Sequence, residues 1–316
     1  MNYNNCHICD SKIIHKVNYK VSEFKFVNEF KNLSIMYCEK CGFGFSFPEL
    51  SHSFINEFYA NVYRGENAPY YIDYKKLRVG SSINCRSLSQ LLPALKYVGL
   101  NEGDSFLDIG PGKGDSFDCL RYISKGIKMF AIEPSQDASL AYNRLYNVKS
   151  FDSIEMIPEN SMKLILMSHS LEHFRLSDIG STLKKLKSIL NQNGVLIIEV
   201  PHVDLRIHAE KRTIDDPHFL FFSLDSLRRL FENDGWQVLD CDTVYTLYPK
   251  ISENCNHKKI VRRKPKSKFL SREKISSFIN MFLIKFLKTK LMKSPGDTFH
   301  YGGDRKCLRI YISHKC

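Results

Sequence analysis

The sequence predicts a doubly wound α/β domain behind a small cysteine-rich lobe, and three observations predict it. Short apolar strand segments alternate with helical ones from about residue 86. One of those strands runs into a glycine-rich turn, "FLDIGPGKGDSF", residues 106–117. Two Cys-x2-Cys pairs, "CHIC" and "CEKC", stand within the first fifty residues. Strands alternating with helices imply a parallel sheet with crossover helices on its faces, and ligands of such sheets bind at the carboxyl ends of the strands.

A chain of 316 residues can bury a full core and suggests one large domain with an appendage, or two domains. Its hydrophobic fraction of 43% and charged fraction of 25% suit a soluble globular protein. "MNYNNCHICD" has no basic region followed by an apolar one, and runs such as "MFLI" are far too short to span a bilayer. The expectation is a cytoplasmic protein with no transmembrane segment. Ten cysteines are many for a reducing compartment unless some bind metal.

In chain order, residues 1–50 read as short strands around the cysteine pairs. Cys6, Cys9, Cys38 and Cys41 form two knuckles that can complete a tetrahedral zinc site, and a closed four-thiolate site is structural. The alternative is two redox pairs or free thiols. So small a lobe cannot bury much core, and zinc would hold it together. Residues 51–85 are a Tyr-rich helical bridge in which Tyr59, Tyr63, Arg64, Tyr70 and Tyr71 either pack or cover a cofactor or a nucleotide diphosphate.

The third unit, 86–316, starts with helical "SLSQLLPALKYVGL" and the strand "SFLDIG", then helical "FDCLRYISKG" and the strand "KMFAIEP". Helical "ASLAYNRLY", strand candidates "VKSFDSI" and "MKLILMSHS", the helix "DIGSTLKKLKSIL" and the strand "GVLIIEV" follow. About twenty residues of loop then lead to Ser223, the expected N-cap of "LDSLRRLFEND", with Gly235 as its stop. A loop that long inside a compact domain is functional or disordered. "WQVLDCDTVY" and "CLRIYIS" close the domain on either side of a basic insertion, 250–300.

That insertion carries the charge. Between Lys258 and Lys293 stand 13 Lys and Arg against one acidic residue, Glu273, which matches the whole formal net charge of +12. Ile275, Phe278, Ile279, Phe282 and Phe286 recur at helical spacing there, so the segment packs with its lysines outward, or meets an anionic substrate or the surface of an anionic membrane.

The glycine-rich turn carries the chemistry. Asp108 ends a strand, and Gly110, Gly112 and Gly114 let the backbone approach a ligand closely. Glu133 closes the next strand, placed to accept from two ribose hydroxyls, or else a solvated strand end. Asp152 follows the third strand, a candidate contact for an adenine amino group or a surface turn acid.

D-x-G-x-G-x-G, the acid after strand two and "LEHF" after strand four together resemble a class I S-adenosylmethionine-dependent methyltransferase, with S-adenosylmethionine as the implied cofactor. A dinucleotide-binding domain has GxGxxG, which "GPGKGD" does not match. With the four-cysteine lobe and the Tyr-rich bridge, the chain resembles sugar C-methyltransferases of nucleotide-deoxysugar and surface-glycan pathways. Their motif E-H-x-x-x-[FY]-S is matched by "PHFLFFS", with His218 and Ser223 at the histidine and serine, and His173 matches a histidine after strand four. Pro217 replaces the motif's Glu, Asp215 replaces an aromatic residue, and the relatives' further C-terminal domain has no counterpart before Cys316. Oxygen and carbon therefore both stand as acceptor atoms.

The resemblance implies His218 as general base, with His173 orienting the substrate or serving as alternate base. An imidazole suits the role because it titrates near neutrality. His169 and His202 also end strands and compete for it, and Glu172 either touches the cofactor or caps the following helix. The implied acceptor is a small anionic molecule, a nucleotide sugar or glycan precursor. An RNA methyltransferase would also use zinc and basic charge, but "SHSLEHF" is not the Asn-Pro-Pro-Tyr type motif of enzymes that methylate exocyclic nitrogens. A non-catalytic protein that binds S-adenosylmethionine is the remaining alternative.

Overall fold

The computed structural model describes residues 4–12, 15–19, 24, 27–79, 84–208, 217–245 and 306–315. The basic insertion 250–300 and Asp215 lie outside them. Strands β1 (His15–Asn18), β2 (Ser34–Tyr37) and β3 (Gly44–Phe47), with helix α1 (Asn28–Lys31) between the first two, form the amino-terminal part. Helix α2 (His52–Glu57), capped by the Ser51 side chain, leads through a widened turn at Phe58–Val62 to α3 (Cys85–Ala94).

Then come β4 (Ser105–Ile109), α4 (Asp115–Ile123), β5 (Lys128–Ile132), α5 (Gln136–Tyr146), β6 (Lys149–Phe151), β7 (Met162–Ser168), α6 (Ile179–Ile189) and β8 (Leu190–Pro201). Helix α7 (Leu205–His208), β9 (Leu220–Phe221), α8 (Leu224–Asn233), β10 (Trp236–Tyr245) and β11 (Lys306–His314) complete the order.

Seven strands make the main sheet, in the order β10-β11-β8-β7-β4-β5-β6. Strands β4 to β8 are parallel, and β11 inserts antiparallel between β8 and β10. The order reverses between β4 and β7, which opens a crevice at their carboxyl ends. Leu164 and Leu166 pack into one core while Ile165 and Met167 pack into the other. This period-two division with both faces covered is why the central strands read as unbroken apolar runs.

Several boundaries differ from the sequence reading. Helix α3 ends at Ala94, just after Pro93, and the predicted "KYVGL" continuation is a turn. Only Lys149–Phe151 of "VKSFDSI" is strand. The stretch after Val200, read as plain loop, holds α7 and β9. Helix α8 is capped by Ser223, whose hydroxyl accepts from Ser226 N while the Ser226 hydroxyl accepts from the Ser223 amide, a closed cap.

The second sheet has the order β1-β2-β3-β9, so its fourth strand comes from a part of the sequence that follows β8 of the main sheet. Phe219 and Phe221 enter the aromatic cluster of the amino-terminal part, beside Phe24, Phe30 and Phe58, while Leu220 and Phe222 enter the main core. Each fully buried phenylalanine contributes up to about 3 kcal/mol, so this two-residue strand is fixed by its side chains more than by its length.

Candidate active site

Asp108 ends β4 with Oδ2 accepting from the Ser116 hydroxyl, and its Oδ1 is buried without a partner among the described residues. Burial pushes the carboxyl up to about 7, against the opposing Ser116 bond. Gly110, Gly112 and Gly114 all have positive φ, from 61° to 77°, a region L side chains rarely adopt. A Cβ at Gly110 would stand 2.6 Å from the Ser170 hydroxyl and would displace it from the Ile109 carbonyl.

Glu133 follows β5 and is buried. Its Oε1 accepts from Ser135 N at 3.0 Å, and its Oε2 lies 3.4 Å from the Tyr142 hydroxyl. That hydroxyl's single proton goes either to Oε2 or to the Gly112 carbonyl, 2.5 Å away, and Oε2 has a further lone pair with which to accept. Burial raises the carboxyl's pKa, with Ser135 N and the charge of Arg64 opposing. Arg64 Nη2 stands 3.5 Å from the position a Gly112 Cβ would take, so the bridge covers the glycine turn. Exposed Asp152 follows β6, one position past the Ile132–Phe151 pair that aligns β5 with β6.

These groups fit an adenosyl cofactor: a buried carboxylate oxygen without a partner among the described residues, a turn of three positive-φ glycines, and an acceptor carboxylate on the neighbouring strand end.

A second group stands beside the crevice. His173, in the turn after β7, has Nδ1 2.5 Å from the Tyr59 hydroxyl and 3.3 Å from the Pro217 carbonyl. The Tyr59 hydroxyl also lies 3.3 Å from that carbonyl. His218 meets His173 edge-on, with ring centroids 5.0 Å apart and planes at 69°. Donor atoms of Glu172, His173 and His218 all lie within 4.8 Å of one another. Glu172 is 1% exposed, and neither carboxylate oxygen has a hydrogen bond among the described residues. His169 Nδ1 comes to 3.3 Å of Oε1 but without hydrogen-bond alignment.

His169, with φ of 53°, lies between Glu172 and the pair of Glu199 and Cys307, its Nε2 3.4 Å from Cys307 Sγ. His202 forms a backbone bridge with Phe222. Of the bridge residues, Tyr63 packs on Tyr59, His173 and Tyr70, while Tyr71 is exposed.

The sequence reading missed Glu199 and Arg309. They pair across β8 and β11, Arg309 Nε donating to Glu199 Oε2 at 2.6 Å, while Arg86 Nε donates to Oε1 at 2.7 Å. Burial raises the Glu199 pKa, but the two guanidiniums outweigh it and hold the carboxyl below its ordinary value. The signal was present: "VLIIEV" and "CLRIYIS" each carry one charge inside an apolar strand.

The four cysteines converge at the other end of the second sheet. Cys6 and Cys41 sulfurs are 3.5 Å apart, as are those of Cys9 and Cys38, and all four lie within 4.8 Å. A tetrahedron with metal–sulfur bonds of about 2.3 Å has edges of about 3.8 Å, so the residues fit a zinc ion. The hydrogen bond between the two thiols lowers Cys6 to about 5 and raises Cys41, and burial pushes both upward.

Residues 81–240, half of the chain, match the family model described as a methyltransferase domain, and the chain belongs to that family. Its fold is that of the class I, S-adenosylmethionine-dependent methyltransferases. The C-methyltransferase NovU of Streptomyces niveus is 27% identical over 162 residues, 47% of this chain and 36% of NovU, so the chain spans well under half of that relative. A crystal structure of an S-adenosylmethionine-dependent methyltransferase from Archaeoglobus fulgidus is 18% identical with a TM-score of 0.42, covering 83% of this chain and 99% of that one. One from Geobacter sulfurreducens, in complex with S-adenosylhomocysteine, is 14% identical with a TM-score of 0.42, covering 76% and 95%. No helix among the described residues is long and apolar enough to cross a membrane.

Proposed function

We propose that the chain transfers a methyl group from S-adenosylmethionine to a nucleotide-linked sugar or related glycan precursor, with His218 as general base. The observation that carries this reading is the meeting of His218, His173 and Tyr59 on the turn after β7, which Ser170 ties to the Ile109 carbonyl at the end of β4, the strand of Asp108. Partial likeness to a C-methyltransferase supports the reaction class.

In this reading Glu133 accepts from the ribose hydroxyls, Asp152 meets the adenine amino group, Gly110, Gly112 and Gly114 admit the methionine part, and Asp108 and Glu172 line the same crevice. Bound S-adenosylmethionine supplies a methyl already activated on a cationic sulfur. The protein then has to align the acceptor and take its proton, for which alignment and a placed base are the main sources of rate. His218 takes that proton. His173, tied through Nδ1 to Tyr59, turns Nε2 toward the acceptor and orients it. Four thiolates, of Cys6, Cys9, Cys38 and Cys41, hold a structural zinc.

The test is incubation with methyl-labelled S-adenosylmethionine and a panel of nucleotide-linked sugars and keto-sugars, read by mass spectrometry and NMR. Label on a sugar carbon or oxygen supports the reading and identifies the acceptor atom. Label found on RNA alone would overturn it.

A further inference from the structure

Both cysteine knuckles hang on the helix that follows His218. At its first turn the Ser223 hydroxyl donates to the Cys41 carbonyl at 2.5 Å, and at its last turn Asn233 Nδ2 donates to the Ile8 carbonyl at 2.6 Å. Ser223 is 1% exposed, so its bond has no water to replace it. The second knuckle runs straight into β3, where Gly44 and Phe45 pair with Phe221 and Leu220. Ser46 N donates to the Phe219 carbonyl at 2.8 Å, and the Tyr19 hydroxyl donates to the His218 carbonyl at 2.9 Å.

The backbone at His218 and Phe219 is therefore anchored twice from the cysteine-bearing sheet. From the main domain it has the bond of Phe219 N to the Glu172 carbonyl, 2.7 Å, with Tyr59 and His173 at the preceding Pro217 carbonyl and the His173 ring against His218. Leu220 and Phe222 also pack into the main core, but the backbone ladder of β9 is made with β3. The partner, β3, continues directly from the knuckle of Cys38 and Cys41, which a bound metal would cross-link to Cys6 and Cys9. Asp108 and Glu133, in contrast, end β4 and β5, whose neighbours β6 and β7 belong to the main sheet.

We infer that the four-cysteine knuckle, loaded with zinc, sets the position of His218, and that Tyr19 is a positioning residue which transmits it. The inference rests on the reading of His218 as base. Loss of zinc frees the knuckle turns, β3 loses its fixed end, and His218 moves while the cofactor half of the crevice keeps its shape.

Hydrogen–deuterium exchange on the full chain, loaded with zinc and then stripped by a chelator, tests this directly. Expected on stripping is exchange faster by about tenfold or more in peptides covering 217–223, with β4 and β7 protected as before and S-adenosylhomocysteine affinity unchanged within about threefold. Re-addition of zinc restores the protection. Unchanged exchange at 217–223 would overturn the inference, as would equal loss throughout β4 and β7, which would make the knuckle a global fastener only.

Tyr19→Phe supplies the second arm. It keeps its zinc, yet the ring resonance assigned to His218 by its disappearance in His218→Gln shifts or broadens. An unmoved resonance removes Tyr19 from the pathway. Full activity in His218→Gln would instead refute the base and leave the exchange result standing, so the two failures are distinguishable.

Discussion

The Tyr59 hydroxyl lies 2.5 Å from His173 Nδ1, joining the Tyr-rich bridge to the turn after β7 across 114 positions of sequence. Either His173 accepts the tyrosine proton, or it donates and Tyr59 turns its own proton to the Pro217 carbonyl. Both arrangements fix the imidazole plane. Tyr59→Phe is expected to lower kcat about 10- to 100-fold with little change in cofactor affinity, through loss of orientation. Steady-state kinetics with calorimetry on S-adenosylhomocysteine checks it, and a change confined to cofactor binding would contradict it.

His218 is the group assigned the proton. Replacing it in His218→Gln keeps a polar side chain of similar reach but removes the base, and turnover should fall about 10²- to 10⁴-fold. Cofactor affinity and melting temperature should stay close to those of the parent. Single-turnover rates on the acceptor identified above measure the loss, and a rate within a factor of about three would assign the proton elsewhere.

Much of this arrangement was legible in the sequence because it is local. Strands buried on both faces read as apolar runs, and the positive-φ turn could be read from Gly110, Gly112 and Gly114. The cap at Ser223 stood before a helical period. What stayed hidden is what depends on long-range pairing. "HFLFFS" looks like the approach to a helix, and nothing within it says that Leu220 and Phe221 complete a sheet with residues 44 and 45. Tyr59 read as packing or as a cover for a cofactor or nucleotide diphosphate, not as the partner of His173, because no local period relates the two.

Glu199 gives a stability prediction. It is wholly buried between Arg86 and Arg309, and breaking a buried pair by neutralising one partner costs about 3–5 kcal/mol. Glu199→Gln should therefore lower the melting temperature by roughly 6–20 °C for a domain of this size. Since the carboxyl is held below its ordinary value, its contribution is present above the unfolded pKa and is lost as pH falls through the folded one. The deficit of the variant, measured by thermal melts, should shrink as pH falls toward the acid limit of folding, and a deficit constant with pH would refute the assignment.

Asp108 carries the opposite sign. Its folded pKa, about 7, lies above the roughly 3.9 of an unfolded aspartate. Between those values the folded chain holds a proton that the unfolded chain has released, so this residue makes stability fall as pH rises through the window. Asp108→Asn keeps the shape without the charge. In the cofactor-free protein the variant should match the parent near the acid end of the window. By about pH 8 it should exceed the parent by about 1–4 kcal/mol. Denaturation midpoints at about pH 5.5 and 8 measure the difference, and an advantage equal at both would show that Asp108 is already ionised in the fold. The same substitution should weaken S-adenosylhomocysteine binding, because the buried Oδ1 that awaits a donor becomes fixed in amide form or is replaced by a donor itself.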